Sequence, residues 1–496
     1  MKKIVFLVLG VAICAASVFA GGKGSGSQTG GTREVTFIIY GDKTDRMTQF
    51  MANDMPKLLA EKGLNIKMNL QVQPWTEYAS SQIELRYASG EDFATWTDMP
   101  FIARCAGKGY LYDITDLIPK YAQSVLREID KASFDSFSLN GRNYGLPIGN
   151  IPNASVFFAV TARTDLMAEV GITDLKTLDD VEKFYTTAKK LHPDYMGVAE
   201  GSPTDTYGMV RMLSRYISDK NLLFLNELVI TDASANNAQI WSYLESDEFK
   251  KYAAIARRWN QMGIIDPQVL SDGTIANSKW LASQAMFRNG NAGRPWEEVG
   301  SMKAQNPKAA LRSFFVGDAK GPLVSRGTYS TAFQISVNAK HPEAYLEVIN
   351  LLYSDQKTYN YMTYGIEGTD YTLNAQGKIA TRPNLQVIMP EWASNNAKWQ
   401  IFEGYIDNAV INDYLHWNDG SILQKDIGFI FDLEPVKVEY AQIQAVTNEY
   451  VPPITYGFVN YDTAYPELLR RLKAAGIDKY MAEFQKQFNT WYSTKK

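Results

Sequence analysis

The chain is 496 residues long, past the roughly 250–300 at which a single hydrophobic core stops growing, so two domains are the default. Hydrophobic residues make up 45% and charged residues 21%, an ordinary globular balance, while a net charge of -4 and no basic run exclude a nucleic-acid partner. The outlier is aromatic content, with 29 Tyr and 10 Trp, a surplus that suits recognition of ligand rings and faces.

Residues 1–20 have the pattern of a signal peptide: Lys2-Lys3, an apolar run from Ile4 to Ala16, and Val18-Phe19-Ala20 before Gly21. The run is too short to span a bilayer. Cys14 opens an alternative, lipid anchoring to the cell envelope, but Ile13 stands where lipoprotein processing expects a small residue. The expectation is therefore an exported, periplasmic protein cleaved after Ala20. Cys105 is then the only cysteine, and no internal disulfide forms. A flexible Gly/Ser tether over residues 21–33 leads into the fold.

Glu34–Tyr40 is the first predicted strand. Asp45 caps a helix whose Met47, Phe50, Met51, Met55, Leu58 and Leu59 share one face, with Pro56 expected to kink it or restart it at Asp54. Ile66–Val72 alternates as a second strand, Pro74–Tyr78 starts a helix ending near Gly90, and Phe93–Trp96 is a third strand. Such a β-α-β-α-β order predicts a parallel sheet flanked by helices, with Asp42, Lys43, Trp75, Trp96 and Asp98 along its carboxyl rim. From Phe137 to Asp165 the sequence reads as a turn, an extended segment with Pro147 and Pro152, and a new buried strand at Val156–Val160, as expected where a chain leaves one lobe for another.

Further on, Thr177–Asp180 has a capping-box pattern, Ser246–Gly263 is a helix, and Gln284–Phe287 is a strand entering an Arg288–Trp296 loop. Thr331–Val337 is a strand and His341-Pro342-Glu343 starts a helix. The last hundred residues are mostly helical, clearest at Pro466–Ala475 and Asp478–Tyr492.

Several of these stretches resemble the extracellular solute-binding proteins of ABC importers, family 1, and within it the large lipoprotein-type oligosaccharide binders with a C-terminal region of their own. The resemblance is carried by Ala88–Asp92, Gly109–Ile118, Asn140–Pro147, Ser283–Phe287 with Trp296, Asn338–Ala344, Tyr364–Tyr371, Gly428–Val436 and Leu472–Asp478. It spans nearly the whole chain beyond the tether. It implies an α/β, two-lobed periplasmic-binding-protein fold of type II, each lobe a sheet flanked by helices and discontinuous in sequence. The expected division is 34–152 plus 320–365 for the first lobe and 153–319 plus 366–496 for the second. Crossings are expected near Gly149–Ser155, Gly317–Arg326 and Gly365.

The resemblance further implies a monomer that captures a sugar or oligosaccharide in the interlobe cleft by hinge closure and delivers it to a membrane permease. The expected ligand contacts are Asp42, Lys43, Trp75, Trp96, Asp98, Asn150, Arg294, Trp296, Tyr329, Tyr364 and Glu367, since rings cover a sugar's C–H face and polar groups bond its hydroxyl rim. Trp392, Trp399 and Trp417 have no assigned place. The His192–Gly208 stretch lacks the Asp/Asn ladder of the calcium loop in relatives that take acidic glycans, so no metal or cofactor is expected. Only His192, His341 and His416 could serve a catalytic triad, and no nucleophile elbow surrounds any serine, so no enzyme is expected. A peptide receptor of the same fold and a secreted glycoside hydrolase are the alternatives.

Overall fold

The computed structural model describes residues 31–149, 158–201, 207–317, 322–325, 331–383, 388 and 396–495. Its two main sheets use nine strands: β1 (Arg33–Tyr40), β2 (Ile66–Gln73), β3 (Ala94–Asp98), β4 (Leu146–Pro147), β5 (Ala159–Arg163), β6 (Met196–Val198), β7 (Ala285–Gly290), β8 (Leu311–Phe314) and β9 (Thr331–Ile335).

The first sheet has the order β2-β1-β3-β9-β4. β1 runs parallel to β2 and β3, whereas β9 runs antiparallel to both β3 and β4. Val35, Phe37, Ile38, Ile39 and Tyr40 of β1 are all buried, the near-continuous apolar run of a central strand covered on both faces. β9 forms only after the chain has built the second sheet, so the first lobe is discontinuous. The second sheet has the order β8-β5-β7-β6, with β5 antiparallel to β7 and β8, and β7 parallel to β6. Helices flank both sheets, giving an α/β architecture of two lobes with separate cores.

The expected kink at Pro56 takes a specific form. Helix Asp45–Gln49 widens into a π-helical turn at Phe50–Asp54, and Met55–Glu61 resumes as α-helix with Pro56 in its first turn, where a missing N–H costs nothing. The capping box at Thr177 is present at the start of Leu178–Leu191, and Ser246 caps Asp247–Met262, which Gly263 ends in the left-handed region.

Two of the expected elements differ from the structure. The strand read at Val156–Val160 lies at Ala159–Arg163, with Val156 and Phe157 outside the described residues. Arg163 is fully buried there because Asp165 takes its guanidinium in two hydrogen bonds, a pairing that apolar counting passes over. The Arg288–Trp296 stretch divides into strand as far as Gly290 and a helix, Arg294–Gln305, because Asn291 caps the Gly293 and Arg294 amides and Pro295 fits a first turn. In the mostly helical C-terminal part, Lys437–Thr455 is a helix that holds Pro452 and Pro453 near its end.

Separate apolar cores serve the two lobes. Leu58, Ile83, Trp96, Phe333 and Tyr345 belong to the first, and Val160, Phe184, Trp259 and Phe287 to the second. The C-terminal helices Lys437–Thr455, Tyr461–Ala474 and Ile477–Ser493 pack Ile443, Leu472, Phe484 and Phe488 onto the second core. Tyr371, Ile379 and Ile388 are buried in the first core, so the expected break after residue 365 separates them from the cluster that holds them. Phe402, Ile406 and Tyr414 pack instead with Trp280 and Trp296 on the second lobe. Of the expected crossings, residues 150–157, 318–321 and 326–330 lie outside the described residues.

Candidate functional site

The strand directions decide which edges of the two sheets can share a ligand. In the first lobe, β1, β2, β3 and β4 all end at the edge where β9 begins, since Thr331 pairs with Asp98. The chain leaves this edge after β4 for the second lobe and enters β5 at Ala159. Ala159 lies opposite Gly290, and Val160 lies opposite Phe314, so the ends of β7 and β8 share that entry edge. These two edges flank the crossing.

On the first edge four rings form one cluster. Tyr40 ends β1, Trp75 and Tyr78 follow β2, and Trp96 lies in β3. Their centroids are 5.2–6.3 Å apart in every pair, with edge-on and tilted geometries. Tyr40 and Trp96 are fully buried and Tyr78 is half-buried, whereas Trp75 is 47% exposed. The cluster is thus a buried base carrying one open indole. Trp75–Glu77 is a single 3-10 turn, not the start of a long helix, and Ala79 beyond it has φ of 49°. A left-handed alanine is costly and turns the chain sharply into Ser80, the cap of the Ser81–Ala88 helix. Burial pushes the Tyr40 phenol up to about 12, so the ring stays neutral even though Thr95, donating to its oxygen at 3.2 Å, pulls the other way.

Around this base, Asp42 and Lys43 are exposed just beyond Gly41, whose amide bonds Gln73 and holds the ends of β1 and β2 together. Asp98 caps the Met99–Gly107 helix, its carboxylate accepting from the Phe101 amide at 3.1 Å.

The second edge is polar. Glu200, just past β6, accepts from the Asn289 amide at 3.2 Å and from Arg288 Nε at 3.3 Å. Glu298 in turn takes Arg294 at 3.0 Å and Arg288 at 3.5 Å. Asn289 is 7% exposed, and its side-chain oxygen has no partner among the described residues. Gly290 is required beside it, since a Cβ there would lie 2.8 Å from the Thr161 amide nitrogen. Ser313 donates to the Asn291 carbonyl and receives Thr161, both at 2.8 Å, tying β5, β7 and β8 together at this end.

The expected contacts therefore separate. Trp75, Trp96, Asp98, Asp42 and Lys43 share the first edge, although Trp96 is its buried base. Trp296 is 6% exposed, its ring edge-on to Phe402 at 5.7 Å and Tyr414 at 5.8 Å, which are core surroundings. Tyr364 is fully buried; its oxygen accepts from the Ile401 amide at 3.0 Å and Arg382 covers its ring. Glu367 is exposed and bridges to Tyr371 across a turn. Asn150 and Tyr329 lie outside the described residues, as does Trp392. Trp399 packs on the first core near Tyr359, and Trp417 lies tilted against Phe315 at 4.6 Å. Tyr40 and Tyr78 were missed. Tyr40 closes an apolar strand and reads as core, and Tyr78 loses its meaning once Trp75 is taken as helical.

The remaining chemistry is quiet. His192, His341 and His416 each pair with a nearby carboxylate, from Glu169, Glu343 and Asp419. Among the described residues no group of acids, histidines or cysteines is placed to hold a metal ion, and no helix is long and apolar enough to cross a membrane.

Residues 40–359 match the family model described as bacterial extracellular solute-binding protein, and residues 426–493 match a domain of unknown function, DUF3502. A carbohydrate ABC transporter substrate-binding protein of Streptococcus pneumoniae serotype 4 is 24% identical, over 99% of this chain and 97% of its own. The crystal structure of an N-glycan transport solute binding protein from Streptococcus pneumoniae superposes with a TM-score of 0.75 at 20% identity, covering 94% of this chain and 100% of that one. An HMO-binding, ABC-transporter-associated solute binding protein from Bifidobacterium longum infantis superposes with a TM-score of 0.63 at 15% identity, covering 93% and 100%.

Proposed function

This chain belongs to the bacterial extracellular solute-binding protein family, and we propose that it captures an oligosaccharide between its lobes and delivers it to the membrane permease of an ABC importer. Members of this family bind and carry; they do not catalyse. The observation that carries the carbohydrate reading is the ring cluster of Tyr40, Trp75, Tyr78 and Trp96, with the Trp75 indole 47% exposed at the carboxyl ends of the first-lobe strands. An open indole on a rigid aromatic base offers a flat apolar surface to the C–H face of a sugar ring. Asp42, Lys43 and Asp98 on the same edge supply hydroxyl partners. Glu200 and Asn289 offer acceptors from the facing lobe.

The names of the relatives support the same class. The Streptococcus pneumoniae relative is a carbohydrate transporter's substrate-binding protein, and the structurally similar N-glycan transport protein has also been crystallised with Man1GlcNAc. Contacts from both lobes make closure the bound state, because ligand shifts the equilibrium only by its differential affinity for the closed form.

Thermal-shift screening of neutral oligosaccharides and of peptides, followed by small-angle scattering with the best ligand, tests this reading. A ligand at 100 times its Kd stabilises by about 2.7 kcal/mol. The expected result is a shift with oligosaccharides, compaction at saturation and recovery of the ligand intact. Shifts with peptides alone, or shortened glycan chains, would overturn it.

A further inference from the structure

A second polar feature lies at the entry edge of the second lobe, outside the site described above. Arg215 lies on the short helix Ser214–Ile217, and its backbone packs against the segment that leaves β8: a Cβ on Gly317 would lie 2.9 Å from the Arg215 carbonyl carbon. Its guanidinium carbon stands 5.6 Å from the Phe315 ring. No hydrogen bond or ion pair reaches that guanidinium from any described residue, and its buried Nε has no partner. Elsewhere arginines of the two lobes find acids or carbonyls: Arg46 with Asp370, Arg163 with Asp165, Arg257 with the Gly457 carbonyl, Arg312 with Asp413.

Arg215 lines a narrow pocket with Ser214, Lys220, Asn221, Leu222 and Phe158, and no described lining residue is acidic. Its free interior is about 20 Å³, room for one small group and not for a sugar ring. Ser214 is 2% exposed, and its hydroxyl has no partner among the described residues. Burial lowers the Arg215 pKa with no acid among the described residues to offset it, yet an arginine stays charged. A half-buried cation and an orphaned hydroxyl facing the same small space are costly unless something supplies acceptors.

We infer that the Arg215 pocket is an anion subsite that takes a carboxylate carried by an acidic sugar residue of the bound oligosaccharide. A carboxylate matches the guanidinium fork in size and geometry and accepts from Ser214 Oγ. The pocket lies where Phe158 leads into β5 and Phe315 leads out of β8, on the edge that flanks the crossing. This inference rests on the carbohydrate reading for the source of the carboxylate, and on the pocket alone for its affinity for anions.

Titration calorimetry with three probes tests it: a neutral oligosaccharide, the same oligosaccharide capped with a uronic acid, and free glucuronate. Each is run on the wild type, Arg215→Gln and Arg215→Lys, with melting curves confirming that the variants fold. The expected result is that the acidic cap tightens binding at least tenfold in the wild type. That ratio falls to about one in Arg215→Gln, is partly kept in Arg215→Lys, and shrinks with added salt. Equal binding of capped and neutral glycans, or a cap advantage that survives Arg215→Gln, overturns the subsite. If no glycan binds, the carbohydrate reading fails by itself. In that case glucuronate binding that Arg215→Gln abolishes upholds an anion pocket, and silence of glucuronate on the wild type removes it.

Discussion

Arg46 grips Asp370 in a two-pronged pair, Nε to Oδ1 at 2.5 Å and Nη2 to Oδ2 at 2.7 Å, across 324 positions of sequence. The same guanidinium reaches Asp54 at 2.9 Å, at the end of the π-helical turn, and Asp370 also accepts from the Ile366 amide at 2.8 Å. The pair thereby ties the 366–371 turn to the first helix of the first lobe. Burial alone would raise the Asp370 carboxyl, but the Arg46 and Ile366 hydrogen bonds hold it below its ordinary value. A depressed folded pKa stabilises fully above the unfolded carboxylate value of about 3.9, and that stability is lost as pH falls through the lower folded value. Asp370→Asn should cost about 1.5–3 kcal/mol at neutral pH, the scale of hydrogen bonds to charged groups, and should flatten the acid limb of a stability–pH profile. Urea melts from pH 2 to 7 measure both; an unchanged acid limb would assign the pair no part in holding the turn.

Trp75 should matter for binding and little for folding. Its indole is 47% exposed, so Trp75→Ala removes modest buried surface. Loss of stacking should weaken oligosaccharide affinity by about 1–3 kcal/mol, the scale of ring stacking on other planar ligands, with unliganded melting nearly unchanged. Calorimetry on Trp75→Ala and Trp75→Phe separates ring loss from indole loss. Unaltered affinity in both would remove this ring from the site.

Cys105 is fully buried in the first core, and burial pushes its thiol up to about 12, with Glu84 adding to the shift. A thiol so far above its usual value of about 8.5 presents almost no thiolate at neutral pH. In a chain starting at Gly21, a disulfide-exchange reagent at pH 8 should find no reactive thiol in the native state and one after denaturation. Rapid native labelling would mean that the Met99–Gly107 helix opens readily.

Much of the fold was legible because its signals are local. The first β-α-β-α-β series, the capping box at Thr177 and the glycine stop at Gly263 depend on neighbours within a few residues. The site was less legible because a tryptophan at a strand end looks alike in sequence whether it faces ligand or core. Trp75 follows β2 and Trp96 lies within β3, strands that flank β1 on either side, yet Trp96 is fully buried and Trp75 is open. What separates them is the 3-10 turn and the left-handed Ala79, a backbone choice that no residue nearby announces. The lobe assignment of Tyr371 and Ile379 was hidden for a related reason. It depends on first-core residues and on the Arg46 pair with the neighbouring Asp370, hundreds of residues away.

Trp296 brings these considerations to a test. The sequence places it after Gly290-Asn291-Ala292-Gly293, a loop fit to approach a ligand, and the resemblance gives it a stacking role. In the structure Asn291 turns that loop into a helix start, which carries the indole inward onto Phe402 and Tyr414. Its ring nitrogen is buried with no partner among the described residues, so the site values the ring's volume over its hydrogen bond. The pocket around it is closed by Phe402 and Tyr414, which come from beyond the first-lobe segment and join residues 402–417 to the second sheet. Trp296→Ala should therefore cost about 3–5 kcal/mol of stability, as for large aromatic truncations in cores. Trp296→Phe should cost less, since it keeps much of the ring's volume and removes the unsatisfied N–H. Denaturant melts without ligand give the stability change, and calorimetry at a temperature where both variants are folded gives affinity. The structure predicts early melting with nearly normal binding. The opposite pattern, full stability with binding lost, would put the indole in contact with ligand after all.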